Sequence, residues 1–389
     1  MQTPLQNKSP ALRVFGIPEL ASMICTQIQK GDTLNLSRVC HQLFYNTIPF
    51  IWRSTDAIVT LITMILGVGV IPYSRDSEAL LPVRDTRPPN ILKSNLARFN
   101  LYAPHVKRLK IPMLLIDEFN NWNGSLACAQ SVNLLPNLEE IEWKYVPGTL
   151  AERTGLDIIN WIAAFLPEST SLQKLHISSN YKLPKRERCY VDLEQICRLL
   201  QDAPQQWNCL DTLTFLPGGV PPQRRFTEPV DKYENLPLEL SVGISSFIRS
   251  LGNLRTLSIS TLAFEPRVIT AIAQLPLLES LTIKCIYETG QVYYENWELP
   301  EPAFASLKAL QLHNICWSTV IRICDINPLV QNLRNIRPTA LLSHETQCAS
   351  FSLVCAFNAL AIRRPAMPSK RCAFVAFTTH ELIPGNFRI

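Results

Sequence analysis

Residues 251–284, LGNLRTLSISTLAFEPRVITAIAQLPLLESLTIK, hold the pattern that decides the fold: the hexapeptide LRTLSI (Leu254 to Ile259) returns as LESLTI (Leu278 to Ile283) after a helix-like interval. Within each hexapeptide the alternation of apolar and polar residues places Leu257 and Ile259, or Leu281 and Ile283, on one face of a short strand. Between them, Val268 to Leu275 carries apolar residues at helical spacing and runs into Pro276, which ends it before the next strand. A strand, a helix and a short turn that restarts the same strand form one repeating unit.

The hexapeptide recurs in both directions. Copies start at Val106 (with Leu109 and Ile111), Leu138 (Ile141, Trp143), Leu172 (Leu175, Ile177), Leu210 (Leu213, Phe215), Leu254, Leu278 and Leu307 (Leu310, Leu312), and a looser copy pairs Leu333 with Ile336. Successive starts lie 32, 34, 38, 44, 24, 29 and 26 residues apart, irregular but wide enough for a strand, a helix and turns. Ile159 to Leu166, Leu193 to Leu200 and Val242 to Leu251 read as further helices. The reading is an α/β solenoid in which each unit buries its apolar face against the next. The motif resembles leucine-rich repeats of an irregular kind, without their usual asparagine; the alternative is an α/β domain of another type whose strands merely alternate.

Two insertions interrupt the units, residues 178–193 and 217–235, and carry Arg186, Arg188, Arg224 and Arg225 among prolines and aromatics. As solenoid insertions they emerge as loops beside a binding surface, and their guanidinium groups suit an acidic or phosphorylated protein segment. Solvated loops that aid solubility are the plainer account of each residue. A third stretch, 286–301, offers Tyr293 and Trp297 as aromatic anchors for the same substrate, or as rings that cover the solenoid edge. The tail 339–389 matches no repeat; Phe351 to Ile362 reads as a helix that closes the open end.

Upstream, residues 15–52, FGIPELASMICTQIQKGDTLNLSRVCHQLFYNTIPFIW, change character. Ile17, Leu20, Ile24 and Ile28 recur every three or four residues on a helix opened by Pro18 and Glu19. A break at Lys30-Gly31-Asp32 follows, and Asp32 caps a second helix lined by Leu36, Val39, Cys40, Leu43 and Phe44, which Pro49 stops before Trp52 packs back. So short a unit cannot bury all these side chains against itself. The ordered set Ile17-Pro18-Glu19-Leu20, Ile24, Asp32, Leu36, Val39-Cys40, Phe44, Pro49 and Trp52 resembles the F-box, with Ile17 where that family usually has leucine.

The resemblance implies docking to the Skp adaptor of a cullin–RING ubiquitin ligase through Ile17, Pro18, Leu20, Ile24, Leu36, Val39 and Trp52. Trp52 and Val39 are the two of these expected to support the unit's own core. On this reading the repeats hold a protein substrate, the protein is a non-catalytic subunit, and it needs no cofactor. The alternatives are a scaffold without a ubiquitin outcome and an adaptor-binding protein that does not engage cullin.

The organisation expected is a flexible start (1–14), an F-box-like module (15–55), a linking region (56–103), the solenoid (104–338) and a divergent cap or tail (339–389). Ile58 to Ile71 is the most apolar window, but its fourteen residues fall short of the ~20 of a spanning helix, so it reads as a buried helix turning into a strand. Residues 73–100 read as a surface linker ending in a short helix near Leu96 to Tyr102.

Composition agrees with a binding protein. With 389 residues, 47% hydrophobic and 18% charged, the chain can bury a sizeable core. The formal charge of +5 is small and its basic residues are scattered, which speaks against nucleic-acid binding. The twelve cysteines form no C-x-x-C pair and mostly adjoin apolar residues, and the six histidines are too dispersed for a zinc site. The opening MQTPLQNKSP lacks the charged and apolar regions of a signal peptide, so a reducing cytosolic or nuclear setting is expected. No nucleophile-elbow, phosphate-loop, zinc-protease or dinucleotide signature occurs, and thirteen glycines leave few phosphate-cradling turns.

Overall fold

The computed structural model describes residues 10–56, 61, 64, 96–112, 134–144, 171–178, 208–216, 238–285, 299–315, 319–320, 323, 326, 329 and 333–339. Four helices open the described chain: α1 (Pro10–Phe15), α2 (Pro18–Gln27), α3 (Lys30–Ser37) and α4 (His41–Trp52). Nine strands follow among the described residues: β1 (Ser54–Thr55), β2 (Arg108–Pro112), β3 (Glu140–Lys144), β4 (Lys174–Ser178), β5 (Thr212–Leu216), β6 (Thr256–Ser260), β7 (Ser280–Lys284), β8 (Ala309–His313) and β9 (Asn335–Thr339). Helix α5 (Ala97–Tyr102) precedes β2, α6 (Leu238–Ser250) precedes β6, and α7 (Pro266–Ala273) joins β6 to β7.

The strands form one parallel sheet in the order β1 to β9, so each strand pairs with its neighbour in the chain. Every hexapeptide falls on a strand, and the register superimposes equivalent positions: Leu109, Ile141, Leu175, Leu213, Leu257, Leu281, Leu310 and Ile336 form one continuous row. The leading residues, Val106 through Leu333, are all buried, as are Ile111, Ile177, Phe215, Ile259, Ile283 and Leu312 in the third position. A one-residue slip would turn a whole strand's apolar set outward, so burial of these rows holds the register. Helices α6 and α7 pack together over this face, with Ile244, Phe247, Ile248, Val268 and Ile272 in the same core.

A turn precedes several strands, in which the leading residue's N–H donates to a carbonyl three residues earlier, as at Val106 to Ala103, Leu138 to Leu135, Leu254 to Leu251 and Leu307 to Phe304. The residue just before the leading one fastens this turn to the preceding unit. Asn137 Nδ2 donates to the Pro104 carbonyl (2.7 Å), Asn253 Nδ2 to that of Asn208 (2.5 Å), and Ser306 Oγ to that of Pro276 (2.6 Å). These bonds satisfy carbonyls that the parallel ladder leaves open at its end.

Three expectations change in the helical unit. Residues 10–14, expected within a flexible start, belong to α1. Lys30, Gly31 and Asp32 are the first turn of α3 rather than a break, and Gln29 occupies the capping position expected of Asp32. The expected second helix is two helices, α3 and α4, and Pro49 lies inside α4, which continues to Trp52. Proline removes only one helical hydrogen bond, and burial of Ile48 and Ile51 on either side of it holds the last turn.

The sheet also begins earlier than the repeats suggest. Ser54 and Thr55 pair in parallel with Arg108 and Leu109, and the Arg53 carbonyl accepts from the N–H groups of both Lys107 and Arg108. The helical unit therefore runs directly into the first strand of the sheet. Of the segment 58–71, Leu61 and Met64 are buried and join the core; its other residues, the expected helices 159–166 and 193–200, and the tail from 340 lie outside the described residues. Among the described residues no helix is long and apolar enough to cross a membrane.

Candidate partner-binding surface

Helix α2 is apolar over more of its circumference than its own unit covers. Pro18 sits at its first turn, where a missing N–H costs nothing, and Ile17 is the residue that caps it. Its inward side carries Ala21 and Cys25, 1% and 6% exposed, against α4; burial pushes the Cys25 thiol pKa up. Turning around the helix, Ile24 and Ile28 are half-buried at the margin, and Ile17 (46% exposed), Leu20 (36%) and Met23 (65%) lie outward. With Val14 on α1 these outward residues succeed one another every three positions, an uncovered aliphatic stripe along two consecutive helices.

The scaffold beneath is tied by packing and by a few polar contacts. Helices α3 and α4 form the most extensive helix pair of the unit, with Thr33, Leu43, Thr47, Ile48 and Ile51 buried. The buried hydroxyls are satisfied locally: Thr47 Oγ1 donates to the Leu43 carbonyl at 2.8 Å and Thr33 Oγ1 to that of Gln29 at 3.2 Å. Asn46 Nδ2 on α4 donates to the Phe15 carbonyl and anchors the end of α1. Lys30 Nζ reaches the Ser54 carbonyl at 3.0 Å, linking α3 to β1.

The residues singled out as adaptor contacts divide by geometry. Ile17, Pro18 and Leu20 are exposed together at the start of α2, and Ile24 is half-buried beside them. Val39, expected to support the core, is instead 66% exposed, because the chain breaks between α3 and α4 and turns it outward. Leu36 is half-buried. Trp52 packs inward: its ring lies 4.9 Å from that of Tyr102, tilted by 40°, at the joint between α4 and α5. Val14, Met23 and Leu34 (38% exposed) share the outward apolar character without having been singled out. For Met23 the signal was present, three residues beyond Leu20.

The residues expected to meet a substrate, Arg186, Arg188, Arg224, Arg225, Tyr293 and Trp297, lie outside the described residues. The described sheet instead presents polar residues, seven of the eight charged, at the position after each leading residue: Lys107, Glu139, Gln173, Asp211, Arg255, Glu279, Lys308 and Arg334, joined in sequence by backbone hydrogen bonds of 2.7–2.9 Å. Opposite charges meet along this row at Lys107–Glu139 (2.5 Å), Arg255–Glu279 (2.9 Å) and Lys308–Glu279 (2.9 Å). The hydrogen bond from Lys308, aided by its charge and that of Arg255, holds the Glu279 carboxyl below its usual range.

Within β2 to β4, Arg108–Glu140 (2.7 Å) and Lys110–Glu142 (3.1 Å) continue the pattern, and His176 lies beside them with Nδ1 2.9 Å from Thr214 Oγ1. Desolvation lowers the His176 pKa, although Glu140 and Glu142 pull it upward. Across β5 to β7 the same face turns to hydroxyls: Thr212 and Thr214, Thr256 and Ser258, Ser280 and Thr282 stand in register. Among the described residues no cluster of three or more His, Cys, Asp or Glu is placed to hold a metal ion, and Cys25, Cys40 and Cys209 are free thiols. No protein-family model and no curated protein matches the chain.

Proposed function

We propose that the protein is a substrate-recruiting adaptor subunit of a Skp–cullin–F-box type ubiquitin ligase, working in the cytosol or nucleus. The observation that supports this most is the exposed stripe of Val14 on α1 with Ile17, Leu20 and Met23 on α2, a helix whose Ala21 and Cys25 are already buried. A soluble domain seldom leaves so much aliphatic surface together unless another protein covers it. The F-box resemblance assigns that partner as a Skp-type adaptor, which would seat Ile17, Pro18 and Leu20 with Ile24 at the margin and Val39 as a second contact. Through that adaptor the chain would be carried by cullin and RING subunits.

The parallel sheet in chain order suits the irregular leucine-rich solenoid expected from the repeats, and gives the proposed ligase an extended surface for a protein substrate. Holding the substrate there raises its local concentration near the ubiquitin-charged enzyme, so the chemistry belongs to the partner. The direct continuation of α4 into β1, with Trp52 against Tyr102, gives a short connection between the two ends of that task.

Co-purification of the full chain with a Skp-type adaptor tests the reading, with the double substitution Pro18→Ala and Leu20→Asp as the control. Binding by the wild type that is lost in a variant still folded by circular dichroism supports it. A folded wild type that does not bind sinks the ligase reading and leaves a leucine-rich interaction scaffold.

A further inference from the structure

The row of charges, which alternates in sign from Asp211 to Lys308, ends on two adjacent cations. From Arg255 through Glu279 to Lys308 each cation faces a carboxylate, but the next residue in the row is Arg334, a second cation beside Lys308. The Arg334 N–H donates to the Lys308 carbonyl at 2.8 Å, so the two residues stand side by side just before β8 and β9, strands ~4.8 Å apart. Like charges so placed repel. Arg334 has no ion-pair partner among the described residues, and the Lys308 ammonium is held by a carboxylate that Arg255 also engages.

An open cleft of about 350 Å³ lies at this point, lined by the charged Glu279, Lys308 and Arg334 together with Leu277, Ala305 and Ser306. Leu277 is 37% exposed and gives the lining an accessible aliphatic side chain. Ser306 is committed to the Pro276 carbonyl at 2.6 Å, which fixes the turn that contributes Ala305 and Ser306 to the lining. A planar guanidinium with no carboxylate partner among the described residues, a neighbouring ammonium and an aliphatic side chain in one lining are complementary to an oxyanion carried next to an apolar side chain.

We propose that this cleft binds an acidic segment of a partner protein, with a carboxylate or phosphate oxyanion between Lys308 and Arg334 and an adjacent aliphatic side chain on Leu277. The incoming anion relieves the repulsion between the two cations. Glu279 sets the affinity by competing for Lys308. The site is separate from the helical stripe and needs no adaptor, so its test and that of the ligase reading fail independently.

The test is fluorescence anisotropy of the full chain with a C-terminally amidated tetrapeptide of leucine and a central residue pair, carrying a fluorophore without net charge and made with glutamate, phosphoserine or serine in the pair. The glutamate or phosphoserine peptide binds and the serine peptide does not; which anion binds more tightly distinguishes a constitutively acidic partner from a phosphorylated one. Arg334→Gln and Lys308→Gln each weaken binding at least fivefold, and Glu279→Gln tightens it at least twofold, a gain that a merely structural role for the row would not produce. Binding of the serine peptide equal to that of the anionic ones, no saturable binding of either anion, or an Arg334→Gln protein that binds like the wild type overturns the proposal.

Discussion

Replacing Ile17 and Met23 together by alanine separates partner binding from folding. Burying a whole aliphatic side chain of this size is worth about 2–3 kcal/mol, so the 65% of Met23 and 46% of Ile17 that remain exposed hold about 1.5 and 1 kcal/mol for a partner to gain. Full loss of both gives about 2.5 kcal/mol, roughly a 60-fold rise in Kd at ~1.4 kcal/mol per decade. The same truncations remove little from the fold, because less than half of Met23 and about half of Ile17 is covered. Ile48, 1% exposed, is the converse: Ile48→Ala costs about 2–5 kcal/mol of stability while leaving the stripe untouched. Calorimetric titration of a Skp-type adaptor into each variant, beside urea unfolding of the variant alone, reads both quantities. An Ile17→Ala, Met23→Ala protein that unfolds like the wild type and binds within twofold of it refutes the reasoning.

Four further outcomes follow from the packing. Trp52→Ala, by removing the ring against Tyr102, lowers the urea midpoint by the equivalent of about 3 kcal/mol; an unchanged midpoint with lost adaptor binding would make Trp52 a contact instead. Leu281→Ala, at 0% exposure between Leu257 and Leu310, costs about 2–5 kcal/mol in the same assay. Gly31→Ala, in the first turn of α3 with nothing within 4 Å of the added methyl, stabilises by about 0.4–1 kcal/mol, seen as a raised Tm. Desolvation depresses the folded-state pKa of His105, His176 and His313 below the ordinary 6.5, so the unfolded chain takes up more protons and stability falls as pH drops below that value. Urea midpoints measured from pH 7.5 to 5 show this slope, and His176→Asn makes it shallower; an unaltered slope in that variant removes His176 from the account.

Much of the sheet was legible because its signal is local and periodic. Two apolar residues two apart, after a third that ends a turn, are dictated by the strand's alternation, and the eight positions from Val106 to Leu333 carry it whatever lies between them. The start of α2 was legible for a similar reason, since Pro18 is tolerated at a first turn and disfavoured within a helix. Pro49 misled because its cost is about 3 kcal/mol at most sites, and only the burial of Ile48 and Ile51 in the assembled unit offsets it. β1 was invisible because its two residues are strand only through pairing with residues 108 and 109, more than fifty positions away.

Sequence alone thus determined which residues are apolar at strand spacing, where α2 begins, and that the N-terminal helices carry more aliphatic surface than so small a unit can cover. Tertiary structure decided which part of that surface is spent. Whether Val39 points inward or outward depends on where α3 ends, and whether Trp52 meets a partner or Tyr102 depends on how α4 meets α5. The meeting of Lys308 with Arg334 is likewise a product of register, since residues 26 apart become neighbours only when two strands align. Periodicity acts along the chain and is written in it; exposure and charge pairing act across the chain and exist only once the strands are laid side by side.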